Sequence, residues 1–239
     1  RAVAFAHAAG IIVSATELCR RWRLHERFPR AQIAVIPNGV SEDDYRDADE
    51  PSFRARLGLG ASPFILFVGR LNPIKGPDLL VRAFCRGAAH FPDVHLVIVG
   101  PDEGLLPELE QIVVVSRLEH RVHFVGYLGG AEKSRAYHAA SLLVIPSRRE
   151  AMSIVVLEAG ICGTPVLITD RCGFNEIAEV GGGRVVAADA DSIEEALRGM
   201  LSERSALAEM GQRLKAYVRE NFTWQVMIAK YLELYRRCI

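Results

Sequence analysis

Short runs of Val, Ile and Leu recur along the 239-residue chain, each followed by a longer stretch in which apolar residues return every three or four positions. The runs IIVS (11–14), IAVIP (33–37), FILFVG (64–69), VHLVIVG (94–100), VHFVGY (122–127), LLVIP (142–146) and PVLIT (165–169) predict strands, and VVAA (185–188) predicts a weaker one. The longer period predicts helices over 16–27, 77–89, 105–117, 131–139, 153–162, 192–202, 204–220 and 223–236. Strands that are apolar along their whole length, rather than at alternate positions, are covered on both faces. Their alternation with helices predicts an α/β fold, a doubly wound parallel sheet with helices on both sides. The acidic segment SEDDYRDADEPS (41–52) interrupts the pattern and reads as a linker. Ahead of the first strand, RAVAFAHAAG reads as the end of a helix, so the chain is expected to be a piece of a longer protein.

Composition narrows the function. Half the residues are hydrophobic and 29 basic side chains balance 29 acidic ones. That is a soluble globular composition with room for one or two domains. Zero net charge argues against nucleic acid as the main partner, because phosphate backbones select basic surfaces. No apolar run approaches the roughly 18 residues of a membrane span. The five cysteines (Cys19, Cys85, Cys162, Cys172, Cys238) are odd in number and form no CxxC pair, which reads as reduced thiols in a cytosolic protein.

Ligands of open parallel sheets bind beyond the carboxyl ends of the strands, and several polar residues fall there. FILFVGRLNPIKG places Arg70 directly after a strand and Lys75 five residues on, between Gly69 and Gly76. Arg offers a planar fork for phosphate oxygens and Lys a movable point charge; the same pair could also be two solvated loop charges. EAMSIVVLE puts Glu150 in the loop before a helix and Glu158 about one and a half turns into it. The amides of that helix start form a ready anion site, and carboxylates accept hydrogen bonds from vicinal hydroxyls. A ligand with both negative charge and hydroxyl groups, such as a sugar nucleotide, meets both demands. Glu150 could instead complement the helix dipole. Glu158 lies in the otherwise apolar IVVLEAGIC, where an unpaired carboxylate would be costly.

Other signals are weaker. There is no GxGxxG, no Walker loop and no GxSxG elbow. Two DxD triplets occur, Asp47/Asp49 in the linker and Asp189/Asp191 before SIEEAL, where Ser192 and Glu195 resemble a capping box. Neither is expected to hold a metal, and His120 and His123 lack a third ligand nearby.

Taken together, VIPNGV, GRLNPIKG, VGPDEG, FVGYL, IPSRREAMSIVVLEAGICGTPVLITD and GGGRVVAADADSIEEAL resemble the retaining GT-B glycosyltransferases of family 4 over nearly the whole chain. The resemblance implies two Rossmann-like domains with a cleft between them. Residues 1–47 would be the last strand–helix–strand of the acceptor-binding domain plus linker. Residues 48–222 would be the nucleotide-sugar-binding domain, and 223–239 a helix that crosses back to the acceptor domain. Part of that helix's apolar face (Val226, Ile228, Tyr231, Leu232, Tyr235) is then expected to be exposed here.

The resemblance also implies roles. Arg70 and Lys75 match the pair that neutralises the leaving diphosphate, Glu150 the glutamate facing the donor sugar, and Glu158 the one holding the ribose. Met152, Ser153 and Ile154 match the helix start that meets phosphate and sugar, while Gly69, Gly100 and the turn after Val125 match the nucleotide pocket. Ala151 stands where many members carry glycine. Implied chemistry is transfer of a hexosyl group with retention, from a UDP- or GDP-linked donor and without metal or other cofactor, to an acceptor glycan or lipid. The implied setting is polysaccharide biosynthesis in the cytoplasm, with peripheral association at the inner face of the cytoplasmic membrane. The alternatives are a nucleotide-sugar-binding module without turnover, or another GT-B enzyme such as a sugar-nucleotide epimerase.

Overall fold

The computed structural model describes residues 10–29 and 31–238; the helix end expected ahead of Gly10 lies outside them. The described chain opens with β1 (Gly10–Val13), α1 (Thr16–Arg21), α2 (Leu24–Arg27) and β2 (Gln32–Val35), and the two strands pair in parallel as a separate ladder. The single helix expected over 16–27 is therefore two, broken at Arg23, whose backbone is left-handed (φ 49°).

The main sheet comprises β3 (Phe64–Val68), β4 (His95–Val99), β5 (Val122–Gly126), β6 (Leu142–Ile145), β7 (Val166–Thr169) and β8 (Gly183–Val186). All its pairings are parallel, in the spatial order β5-β4-β3-β6-β7-β8. The chain runs outward from β3 to β5, returns to lay β6 beside β3, and continues to β8. The carboxyl ends of β3 and β6 thus form the topological switch point, where open α/β sheets bind ligands.

Alternate residues of each strand face two separate cores, which is why the strands read as unbroken apolar runs. Ile65, Phe67, Leu96, Ile98, Leu142 and Val144 pack against α4 (Pro77–Gly87), α5 (Leu106–Val115) and α9 (Ala190–Ser202). Phe64, Leu66, Val97, Leu143 and Ile145 pack against α3 (Glu50–Arg56), α6 (Gly130–Ala139), α7 (Ile154–Cys162) and α10 (Arg204–Asn221). Two helices were hidden in the sequence pattern. α3 lies inside the expected linker, capped by Asp49, whose carboxylate accepts from the Ser52 amide; the four-residue α8 (Glu176–Glu179) precedes β8. β8 itself begins two residues before the expected VVAA run. The cap of α9 is Asp189, which accepts from the amide and hydroxyl of Ser192, so the helix starts ahead of the capping box proposed from SIEEAL.

The last helix, α11 (Trp224–Cys238), returns to the small ladder: Met227 and Leu234 are buried with Ile36, beside Ile12 and Ala34. Val226 and Tyr231 join this contact, while Ile228, Leu232 and Tyr235 are exposed. All five cysteines are free. No described helix is long and apolar enough to cross a membrane.

Candidate functional site

The loop leaving β3 is built to lie flat against its neighbours. Gly100, at φ 147°, sits so close to the Gly69 carbonyl that a Cβ would fall 1.8 Å from its oxygen. Gly76 is left-handed (φ 68°), and a Cβ there would lie 2.1 Å from the Pro146 carbonyl oxygen at the exit of β6. Only glycine permits both approaches. Between them Asn72 acts as a brace. Its side-chain oxygen accepts from the Lys75 amide (3.0 Å) and its amide nitrogen donates to Glu103 (2.6 Å). Arg148 ties the β6 exit to the start of α4, donating to both oxygens of Asp78 (2.8 and 2.6 Å) and to the Pro73 carbonyl.

This packing delivers Lys75 to Glu150. The ammonium lies 3.0 Å from Glu150 Oε1, and Ser147 donates its hydroxyl to the same oxygen at 2.5 Å. The Glu150 side chain is only 9% exposed, and its backbone amide is bonded to the Arg171 carbonyl. Arg70, by contrast, points away to Glu103 (2.9 Å) and is well exposed. Hydrogen bonds from Asn72 and then Arg70 hold the Glu103 carboxyl below its ordinary range.

Immediately beyond Glu150 the chain turns into α7. Ser153 is its N-cap, in extended conformation, but the hydroxyl makes no capping bond. A serine at this position normally accepts from an amide of the first turn. Here Oγ is the one buried side-chain polar atom without a partner among the described residues, and Ser153 is 1% exposed. No acidic residue occupies the first turn of α7. The first turn therefore carries no carboxylate of its own, and its N-cap hydroxyl is an orphan. Ile154 stays exposed there, and Met152 packs partly against the core.

Glu158 belongs to a second network. It is 8% exposed and accepts from Lys133 Nζ on Oε1 (3.0 Å) and from the Tyr137 hydroxyl on Oε2 (2.6 Å). Both donors come from one face of α6, four residues apart. Burial, then the Glu158 charge, pushes the Tyr137 phenol well above its ordinary pKa. Burial, then the same carboxylate's charge, raises the Tyr45 phenol as well. The buried carboxylate is thus paired, by residues that EAMSIVVLE gives no hint of; the i, i+4 spacing of Lys133 and Tyr137 is the one sequence signal that could have found them.

The two DxD triplets are engaged elsewhere. Asp47 is clamped by Arg135, Asp49 and Asp189 cap helices, and Asp191 pairs with Arg86. Among the described residues no group of three or more His, Cys, Asp or Glu side chains converges.

The family model for glycosyl transferases group 1 matches residues 49–220. The chain belongs to that family. Every segment of the site just described, from Gly69 to Glu158, lies inside the match, and the six-stranded unit is the Rossmann-like half of a GT-B fold. Among the chain's curated relatives, the D-inositol 3-phosphate glycosyltransferase of Mycolicibacterium paratuberculosis is 33% identical over 223 residues, covering 90% of this chain and 49% of the relative. That of Nocardia farcinica is 31% identical over 215 residues, covering 86% and 48%. The chain thus spans about half the length of the curated relatives it matches. Sucrose-phosphate synthase from Thermosynechococcus elongatus superposes with a TM-score of 0.82 at 26% identity, over 99% of this chain and 60% of its own. HepE of Anabaena, solved with UDP and glucose, superposes with a TM-score of 0.83 at 22% identity, over 96% and 64%.

Proposed function

We propose that the intact protein is a retaining, family 4 glycosyltransferase that moves a hexosyl group from a nucleotide sugar to an acceptor glycan or lipid, and that this chain carries the donor half. One observation carries the proposal: Lys75 and Glu150 meet at the switch point, directly before a helix start that holds an unpartnered buried hydroxyl. A donor diphosphate there would take its hydrogen bonds from Ser153 and the first-turn amides of α7 and its counter-charge from Lys75. Glu150, released from Lys75 as the ammonium turns to phosphate, would accept from sugar hydroxyls. Arg70 would leave Glu103 to complete the neutralisation. Charge developing on the leaving diphosphate is stabilised by these fixed donors, so the proposed chemistry uses no metal. Glu150 already accepts from both Ser147 and Lys75, a poor setting for a covalent nucleophile, which favours same-face displacement assisted by the leaving phosphate. Glu158, deeper on α7, would hold the ribose.

In this proposal residues 1–47 and 223–239 belong with the acceptor-binding domain and 48–222 form the donor domain, a division the 49–220 family match supports. Catalysis then takes place in the cytoplasm, at the membrane's inner face where the acceptor is a lipid. HepE, solved with UDP and with UDP-glucose, makes uridine nucleotides the first ligands to try. Calorimetry with UDP, GDP and ADP, paired with a transfer assay, tests the proposal. Binding of one nucleotide is expected. Binding by a full-length protein that transfers nothing would favour the module without turnover, and binding of none would overturn the site.

A further inference from the structure

The Ser147 hydroxyl and the Lys75 ammonium both approach Glu150 on one oxygen, Oε1, at 2.5 and 3.0 Å. Oε2 accepts no hydrogen bond among the described residues. It is not an orphan of the Ser153 kind, sealed away from water, so it reaches solvent.

The two contacts on Oε1 differ in permanence. The Lys75 side chain is a quarter exposed, and its flexible four-carbon stem lets the ammonium turn to a phosphate. Ser147 is completely buried and cannot follow. Its carbonyl accepts from the Thr169 hydroxyl, which lies 3.4 Å from the Cys172 sulfur, and that sulfur donates to the Ile145 carbonyl (3.4 Å). Thr169 and Cys172 are also completely buried. A hydroxyl tied down in this way across β6 and β7 keeps hold of one carboxylate oxygen wherever the lysine goes.

Resting on the assignment of Glu150 to the donor sugar, we infer that Ser147 is a positioning residue: it anchors Glu150 by Oε1 after Lys75 has left for the diphosphate, and so presents Oε2 to a sugar hydroxyl. Without that anchor the carboxylate turns about its own side-chain bonds, and a displacement of about 1 Å removes much of what a positioned group contributes. Ser147 thus serves the sugar half of the donor and not the nucleotide half.

The test is calorimetry on the full 239-residue chain with UDP, GDP and ADP and with their glucose, mannose and N-acetylglucosamine conjugates. Wild type, Ser147→Ala, Glu150→Ala and the double variant are compared. The readout is the ratio of sugar-nucleotide to nucleotide affinity, because a change at Lys75 acts on both ligands alike. For the pair that binds, Ser147→Ala should lower the ratio about tenfold, the scale of one hydrogen bond to a charged group. Ser147→Cys keeps the volume but offers only a weak donor, and should lower it too. Glu150→Ala should lower the ratio at least as far. Adding Ser147→Ala to it should change nothing further, since two residues acting through one contact are not additive. An unchanged ratio in both Ser147 variants, with a lowered one in Glu150→Ala, would overturn the inference and leave the sugar assignment standing. Losses that add in the double variant would do the same. An unchanged ratio in Glu150→Ala would remove the sugar assignment and the inference with it, as would failure of every sugar nucleotide to bind.

Discussion

Arg121 and Lys75 stand at opposite ends of the same sheet and are treated differently. Arg121 precedes β5 at the amino end. Its guanidinium is buried and donates to the carbonyls of Ala88 (3.1 Å), Phe91 (2.6 Å) and Val94 (2.9 and 2.6 Å), closing the turn after α4. Each of its three nitrogens thus has a protein acceptor. At the carboxyl end, Lys75 shares one glutamate oxygen with a serine, Arg70 leans into solvent, and the Ser153 hydroxyl is buried without a partner. Buried polar groups are almost always satisfied, so an incomplete set at this helix start is the feature on which the proposed ligand site rests. In the proposed account the closed-off charge serves stability and the half-paired one binding.

The strongest way to break this comparison is Lys75→Ala. In the full-length enzyme it should lower the transfer rate about 10²–10³-fold, as loss of one transition-state donor does, and, since Glu150 is left nearly buried without its cation, cost at most about 3 kcal/mol of stability. Arg121→Met should act on stability alone. Three carbonyls lose charged donors at a cost of about 3 kcal/mol, read by denaturant unfolding, with nucleotide affinity unchanged. Ser153→Ala sharpens the contrast, because removing an unpaired buried hydroxyl should stabilise the chain by about 1 kcal/mol and still weaken nucleotide binding. Loss of stability in that variant would mean the hydroxyl is already satisfied.

The smallest effect concerns the amino end. His95 and His123 share a hydrogen bond of 2.9 Å with stacked rings, close to Arg121, His120 and Asp93. Burial is the first cause holding both imidazoles below their ordinary 6.5. A depressed imidazole pKa means the unfolded chain takes up protons first, so stability should fall as pH drops below about 6.5 and be unaffected above it. Denaturation midpoints on either side of that value measure it, and His123→Gln should flatten the dependence.

Much of the fold was legible in the sequence because β3, β4, β6 and β7 are buried on both faces and so carry unbroken Val/Ile/Leu runs. The elements that escaped notice are those whose formation rests on something other than apolar period. α3 is hidden by Pro51 and its acidic surroundings and is held by the Asp49 cap and the burial of Phe53. The break between α1 and α2 rests on one left-handed residue, Arg23. At the site, Lys75 and Glu150 could be placed in one layer from their strand ends alone. The partners could not. Glu103 meets Arg70 across 33 positions, and Lys133 meets Glu158 across 25; such pairings depend on side-chain reach between elements rather than on any local pattern. The sequence puts Ser153 at a helix start, and the structure makes it an N-cap residue whose hydroxyl forms no capping bond.

The central claim is that the carboxyl end of β3 and β6 is an unfinished site for a nucleoside diphosphate. Parallel titrations of UDP, GDP and ADP into the wild-type chain and Lys75→Ala, with unfolding midpoints recorded for both, test it most directly. One nucleotide should bind the wild type, with affinity reduced at least about tenfold in the variant and both chains still unfolding cooperatively. Equal affinity in the two proteins would contradict the claim.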